Sequence, residues 1–208
     1  MIGARSRNRR RDAARMRDIA EVFDAPEDQA FQGLLEAARL NSAWAWESIY
    51  ESLAPRVLGW LRMESPDYAE DVLGDTFLCV VRDIHDFSGG ERAFHAWVFR
   101  IARNRLLDAM RVKARRPQVV AADVPESCHD IAPDAAEQVM RRMERERIHA
   151  LLRVLPEDQR TTVYMRCVLD ASFAEVAAAL MISVPAAKML QQRAFRTLAA
   201  RIPAVIAG

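Results

Sequence analysis

Residues 117–136 hold Pro117, Pro125 and Pro133 with Asp123, Glu126, Asp130 and Asp134, and contain neither Lys nor Arg. Proline interrupts helices, and a run carrying one sign of charge with few groups to pack reads as an extended acidic linker. The chain on either side is patterned differently. From Phe31 to Arg116, and again from Glu137 to about Ile202, apolar residues recur at spacings of three and four, as in helices that bury one face. With only 7 Gly and 9 Pro in 208 residues and 51% hydrophobic content, both segments can build cores. The expected fold class is therefore all-α: two small helical domains joined by an extended acidic linker, the second containing a helix-turn-helix. The boundaries predicted are 27–116 for the first domain, 117–136 for the linker and 137–208 for the second domain. Within the first, Pro55, Ser65-Pro66 and Ser88-Gly89-Gly90 break the helical pattern, and in the second it restarts at Pro156, Ser172 and Ser183, giving four short helices.

Lys and Arg (30) nearly balance Asp and Glu (29), but the distribution is uneven. Arg5, Arg7, Arg9, Arg10, Arg11, Arg15 and Arg17 face the single Asp12 near the start. Residues 1–26 are read as a largely disordered basic arm, either a tether for nucleic acid or a solvated tail. No apolar stretch approaches the roughly 20 residues that span a bilayer, so no direct membrane insertion and a cytoplasmic location are expected. Cys79, Cys128 and Cys167 are far apart, without the paired spacing of a zinc clamp or redox motif, and Cys128-His129 lacks further ligands nearby. No metal and no cofactor are expected. His85, His95, His129 and His149 are scattered, and no phosphate-cradling glycine loop or nucleophile elbow accompanies them, which argues against an enzyme.

Three segments carry recognisable chemistry. Ser65-Pro66-Asp67 reads as a helix start, with Ser as cap, Pro in the first turn and an acid at the positive end of the dipole. In the helix that follows, Ala69, Val72, Leu73, Thr76, Phe77, Val80 and Ile84 form one stripe. Asp67, Asp71, Gly74, Asp75, Leu78 and Arg82 share the opposite face, which is either a docking surface for a basic partner helix or a solvated acidic face. The second segment runs from Phe94 to Arg116. It places Arg100, Asn104, Arg111 and Arg115 in one arc with Arg103 beside it, a spacing that can meet successive phosphates. Phe87 and Trp97 are read as platforms for unstacked bases, the alternative being that Phe94, Trp97 and Phe99 are core residues. In the third, Ser172-Phe173-Ala174-Glu175 has the form of a capping box, Met181-Ile182-Ser183 makes a turn, and Lys188, Gln191, Gln192, Arg193 and Arg196 follow on a second helix able to enter a major groove.

Taken together, these segments resemble the extracytoplasmic-function (ECF) sigma factors of bacterial RNA polymerase over roughly residues 30–202. Ala69-Glu70-Asp71-Val72 through Asp75-Thr76-Phe77 is similar to the family's A-E-D-x-x-Q-E-T-F. Trp97, Ile101-Ala102-Arg103-Asn104, Asp108 and Arg111 are similar to its W-L-x-x-I-A-x-N-x-x-x-D-x-x-R, and Leu155-Pro156 and Glu175-Val176-Ala177 to its L-P and E-I-A. Gly74-Asp75 departs from the usual Q-E, and Pro185 to Gln191 from the usual G-T-V-K-S-R-L. The resemblance implies a transcription initiation factor that binds core polymerase, recognises promoter DNA and promotes strand opening. It implies that Asp67, Glu70, Asp71, Asp75 and Leu78 dock on core polymerase (the β′ coiled coil and β subunit). It assigns Phe87, Trp97, Arg100, Arg103, Asn104, Arg111 and Arg115 to the minus-ten element, and Ser183, Lys188, Gln192, Arg193 and Arg196 to the minus-thirty-five element. An anti-sigma factor is a further partner that many members of the family have. The competing reading is a conventional helix-turn-helix regulator that binds duplex DNA without polymerase, which leaves the acidic helix and the aromatic basic helix without a role.

Overall fold

A computed structural model of the chain describes residues 29–115 and 148–206, with side chains over 29–112 and 148–201. The expected basic arm, the expected linker, and Cys128 with His129 lie outside these residues. All regular structure among the described residues is helical. The first half comprises α1 (Gln29–Arg39), α2 (Ala43–Glu64), a 3-10 turn (Pro66–Tyr68), α3 (Ala69–Asp83), a second 3-10 turn (Ile84–Asp86) and α4 (Glu91–Arg115). After a helical stretch at 148–152 the second half continues with α5 (Glu157–Cys167), α6 (Phe173–Leu180) and α7 (Val184–Ile206).

The stripe predicted for α3 is buried in full: Ala69, Val72, Leu73, Thr76, Phe77, Val80 and Ile84 all face the core. Thr76, the polar member, donates its hydroxyl to the Val72 carbonyl at 2.6 Å, which satisfies it inside the apolar layer. Two local expectations fail. Pro55 does not break the chain but sits within α2. An interior proline costs a helix about 3 kcal/mol, yet Ile49 and Leu53 before it and Val57, Trp60 and Leu61 after it are all buried. Each such side chain is worth about 1.5–3 kcal/mol, so burial on both sides of the proline outweighs its cost. Ser65, expected as a helix cap, makes no side-chain cap. The chain turns first through Pro66–Tyr68, and α3 begins only at Ala69.

Four aromatic rings fill the end of the first half. Phe87 lies 5.2 Å from Phe94 and 5.1 Å from Trp97 between centroids, and Phe94 lies 5.5 Å from Phe31. The loop between α3 and α4 is tied down from α1, because Gln32 donates to the Gly89 carbonyl at 3.2 Å and Arg39 to the Phe87 carbonyl. Gly89 has φ of 142° and stands where an added Cβ would meet the Ala93 Cβ at 3.1 Å, so only glycine turns the chain here without strain.

The two halves share one core. Hydrophobic packing runs without interruption from Phe31 and Leu35 through Trp60 and Phe99 to Met165 and Val176. α4 lies against both α3 and α6, and α2 meets α5. At that seam the Trp60 indole donates to Thr161 Oγ1 at 3.2 Å, and the Tyr164 hydroxyl donates to the Arg56 carbonyl at 3.3 Å.

His95 lies at this seam with Arg56 of α2, Glu91 of α4 and Glu175 of α6 around it. Loss of solvent pushes its pKa below the ordinary 6.5, Arg56 pushes the same way, and Glu91 and Glu175 oppose. A base whose folded pKa is lowered stabilises the fold fully above its unfolded pKa, and that contribution falls away as pH drops through 6.5 toward the lowered value. The melting temperature is therefore expected to decline between pH 7 and pH 5.5, roughly the window set by an unperturbed histidine, and His95→Gln should flatten that decline. An identical slope in the variant would refute the assignment.

Candidate nucleic-acid and protein interfaces

The solvent face of α3 presents Glu70, Asp71 and Asp75 with Gly74 and Leu78, and Asp67 of the preceding 3-10 turn is exposed beside them. Leu78 is 70% exposed, and Val81 beside it is also open. Glu70 is paired with Arg62 at 2.6 Å, with both side chains largely in solvent, which contributes little to stability. Glu70 and Asp71 occupy the first turn of α3, where they interact favourably with the positive end of the helix dipole. Nothing lies within 4 Å of the position a Gly74 Cβ would take. The result is an acidic strip that ends in a large exposed aliphatic side chain.

On α4 the expected contacts divide. Asn104 and Arg111 are exposed, and Arg111 reaches Asp108 at 3.2 Å. Arg103 is turned toward the second half, 2.8 Å from an Asp158 oxygen and 3.2 Å from a Glu157 oxygen. Arg100 is buried. Phe87 and Trp97, expected to offer their faces to bases, are 2% and 7% exposed and belong to the aromatic cluster, so neither ring is open to a base in this conformation. Arg115 ends α4, its side chain outside the described residues. The arc drawn from sequence mixed two faces of the helix: the stripe of Val98, Ala102 and Leu106 is buried as expected, and Arg100 is buried as well.

The second half builds a helix-turn-helix. The Ser172 side chain accepts from the Glu175 amide while the Glu175 carboxylate accepts from the Ser172 amide at 2.6 Å, which completes the capping box that opens α6. The turn passes through Met181 in the left-handed region, φ 58°, and Ser183 Oγ accepts from the Ala186 amide to start α7. The axes of α6 and α7 differ by 99°, within the range of DNA-binding helical hairpins. Ala187 and Ala194 seat α7 against the core, leaving Ser183, Lys188, Gln192, Arg193 and Arg196 exposed on its outer side. The Lys188 ammonium lies 5.8 Å over the Phe173 ring.

Sequence reasoning missed the groups that join the halves. Arg160 pairs with Glu64 through both carboxylate oxygens, its Nε donating at 2.8 Å, with the two side chains 15% and 3% exposed. Their separation along the chain leaves no local signal. Among the described residues, no group of three or more His, Cys, Asp or Glu is arranged to hold a metal, and no single helix is long and apolar enough to cross a membrane.

Comparison with known proteins agrees with this architecture. The profile for sigma-70 region 2 matches residues 49–116, and that for sigma-70 region 4 matches residues 145–198. The solved structure of CnrH in complex with the cytosolic domain of CnrY superposes with a TM-score of 0.63 at 24% identity, covering 84% of this chain and 98% of that one, a likeness of fold. A helical body carrying both regions defines a sigma factor of RNA polymerase. The RNA polymerase sigma factor CarQ of Myxococcus xanthus is 31% identical over 168 residues, 79% of this chain and 92% of CarQ. The ECF RNA polymerase sigma factor BldN of Streptomyces coelicolor is 29% identical over 192 residues, 92% of this chain and 67% of BldN. The chain belongs to the ECF sigma factor family.

Proposed function

We propose that this sigma factor docks on core polymerase through the acidic face of α3, with Asp67, Glu70, Asp71 and Asp75 meeting basic groups of the β′ coiled coil and Leu78 packing between them. The observation that carries this reading is the exposed Leu78 at the end of a row of exposed carboxylates on one face, an apolar contact flanked by charge. The minus-ten element is met by Arg103, Asn104 and Arg111 on α4. Phe87, Trp97 and Arg100 support that surface from beneath. The minus-thirty-five element is read by Ser183, Lys188, Gln192, Arg193 and Arg196 on α7, through phosphate contacts that set register and base-edge contacts that set sequence. The β subunit of core polymerase and an anti-sigma protein are further partners in this reading. The domain boundaries assigned from sequence are kept as the functional units, one for each promoter element, and the site of action is the cytoplasm.

Run-off transcription with purified core polymerase tests the whole reading. Specific initiation should appear only when the chain is added, whereas a regulator working without polymerase contacts would give no specific transcript in this reconstitution. A narrower test concerns α7: Arg193→Ala should weaken promoter binding by about 1–3 kcal/mol if its guanidinium reaches a base edge. A footprint and affinity equal to the parent's would remove Arg193 from the reading head.

A further inference from the structure

α7 is seated through Ala187 and Ala194, both buried. Met189 comes two residues after the first and five before the second, so at about 3.6 residues per turn it lies on the opposite side of the helix. It is 51% exposed, and Pro185 and Gln192, one turn before and after it, are exposed too, as is Arg196 a turn beyond Gln192. Met189 is the sixth residue of α7, within the N-terminal turns that a recognition helix brings to base edges. Its surroundings fit a polyanion. Lys188, Arg193, Arg196 and Arg201 are exposed along α7, and no Asp or Glu occurs from Val176 to the end of the chain. Yet the middle of this cationic stripe is a thioether side chain, which can neither pair with a phosphate nor donate to a base.

In the major groove guanine, adenine and cytosine present hydrogen-bonding groups, and thymine adds a C5 methyl. A methionine set against any of the first three strips water from those groups and returns no hydrogen bond, which is unfavourable. Against the thymine methyl it buries apolar surface on both partners, which is favourable. The same side chain therefore attracts one base and penalises the others. We propose that Met189 is a specificity-determining residue of α7, selecting a thymine in the upstream promoter element by contact with its C5 methyl, while Lys188, Gln192 and Arg193 around it supply the polar contacts. Met189 lies in the stretch from Pro185 to Gln191 that departs from the family's usual residues, so the preference is a property of this chain. The inference rests on the reading that α7 enters the major groove, and goes beyond it in naming the chemical group that is read.

The test uses holoenzyme reconstituted from purified core polymerase and the full-length chain. Selection from DNA duplexes of random sequence identifies the upstream element. That element is then synthesised with thymine or with deoxyuridine, which lacks the methyl, at each thymine position in turn. At one position the parent is expected to bind the deoxyuridine duplex about three- to fivefold more weakly, the worth of one methyl-sized apolar group. Met189→Ala, a change that suits an exposed helix position, is expected to bind both duplexes alike, and Met189→Leu to restore the discrimination. An upstream element without thymine, or a parent indifferent to the methyl at every position, overturns the inference while leaving α7 in the groove. So does a Met189→Ala protein that keeps the parent's discrimination. Loss of core binding by Met189→Ala in gel filtration, with the parent indifferent to the methyl, overturns it and assigns the side chain to a polymerase contact. Selection that enriches no upstream element overturns the groove reading itself, which keeps the two failures distinct. Should the alanine variant misfold, the comparison of thymine with deoxyuridine on the parent still decides.

Discussion

Asp71→Arg is expected to abolish co-migration with core RNA polymerase while leaving the protein folded. Asp71 is exposed in the first turn of α3, where an acid gains about 0.3–1 kcal/mol from the helix dipole. Reversal forfeits that amount and adds a second cation near the Arg62–Glu70 pair. These costs are small beside the roughly 5–15 kcal/mol that stabilises a typical domain. At an interface the balance is different. A like charge set against a basic partner surface costs several kcal/mol, enough to weaken association by about a hundredfold or more. Gel filtration with core polymerase, paired with a thermal melt, separates the two effects. A folded variant that still elutes with core would remove the α3 face as the docking site.

The largest loss of stability is expected from Phe94→Ala. Phe94 is 1% exposed and touches Phe31, Phe87 and Trp97, with centroid distances of 5.5, 5.2 and 5.6 Å. Truncating a buried phenylalanine costs about 3–5 kcal/mol, part from lost transfer energy and part from the cavity that rigid neighbours cannot fill. Here the neighbours are themselves rings held by the Gln32 and Arg39 contacts to the loop, so collapse into the space is restricted. Urea unfolding should show the midpoint falling with little change in slope. A loss under about 1 kcal/mol would mean that the four rings do not act as one core, since that is no more than an average substitution costs.

Local periodicity made much of this architecture legible. The α3 stripe, the capping box of Ser172 and Glu175, and the helix beginnings near Pro156, Ser172 and Ser183 are all encoded within a few residues, and the structure places them as read. Pro55 was misjudged because intrinsic propensity is a weak term beside the burial of five flanking apolar groups. Ser65 was misjudged because a proline and a tyrosine form a 3-10 turn before the α-helix begins. Phe87 and Trp97 are unlike the acids of α3, because their burial depends on a distant segment: α1 brings Phe31 to the ring cluster and anchors the loop that carries Phe87. Pairings such as Trp60 with Thr161 or Glu64 with Arg160 leave no trace at the scale on which sequence patterns are read.

The continuous packing between Trp60, Phe99, Met165 and Val176 bears on how this protein can be handled and how it is cleared. Separate expression of either portion would present a greasy wall to water, inviting aggregation or capture by chaperones. A protease nicking the intervening segment would leave two fragments still clasped together, so cleavage alone would not amount to dissociation.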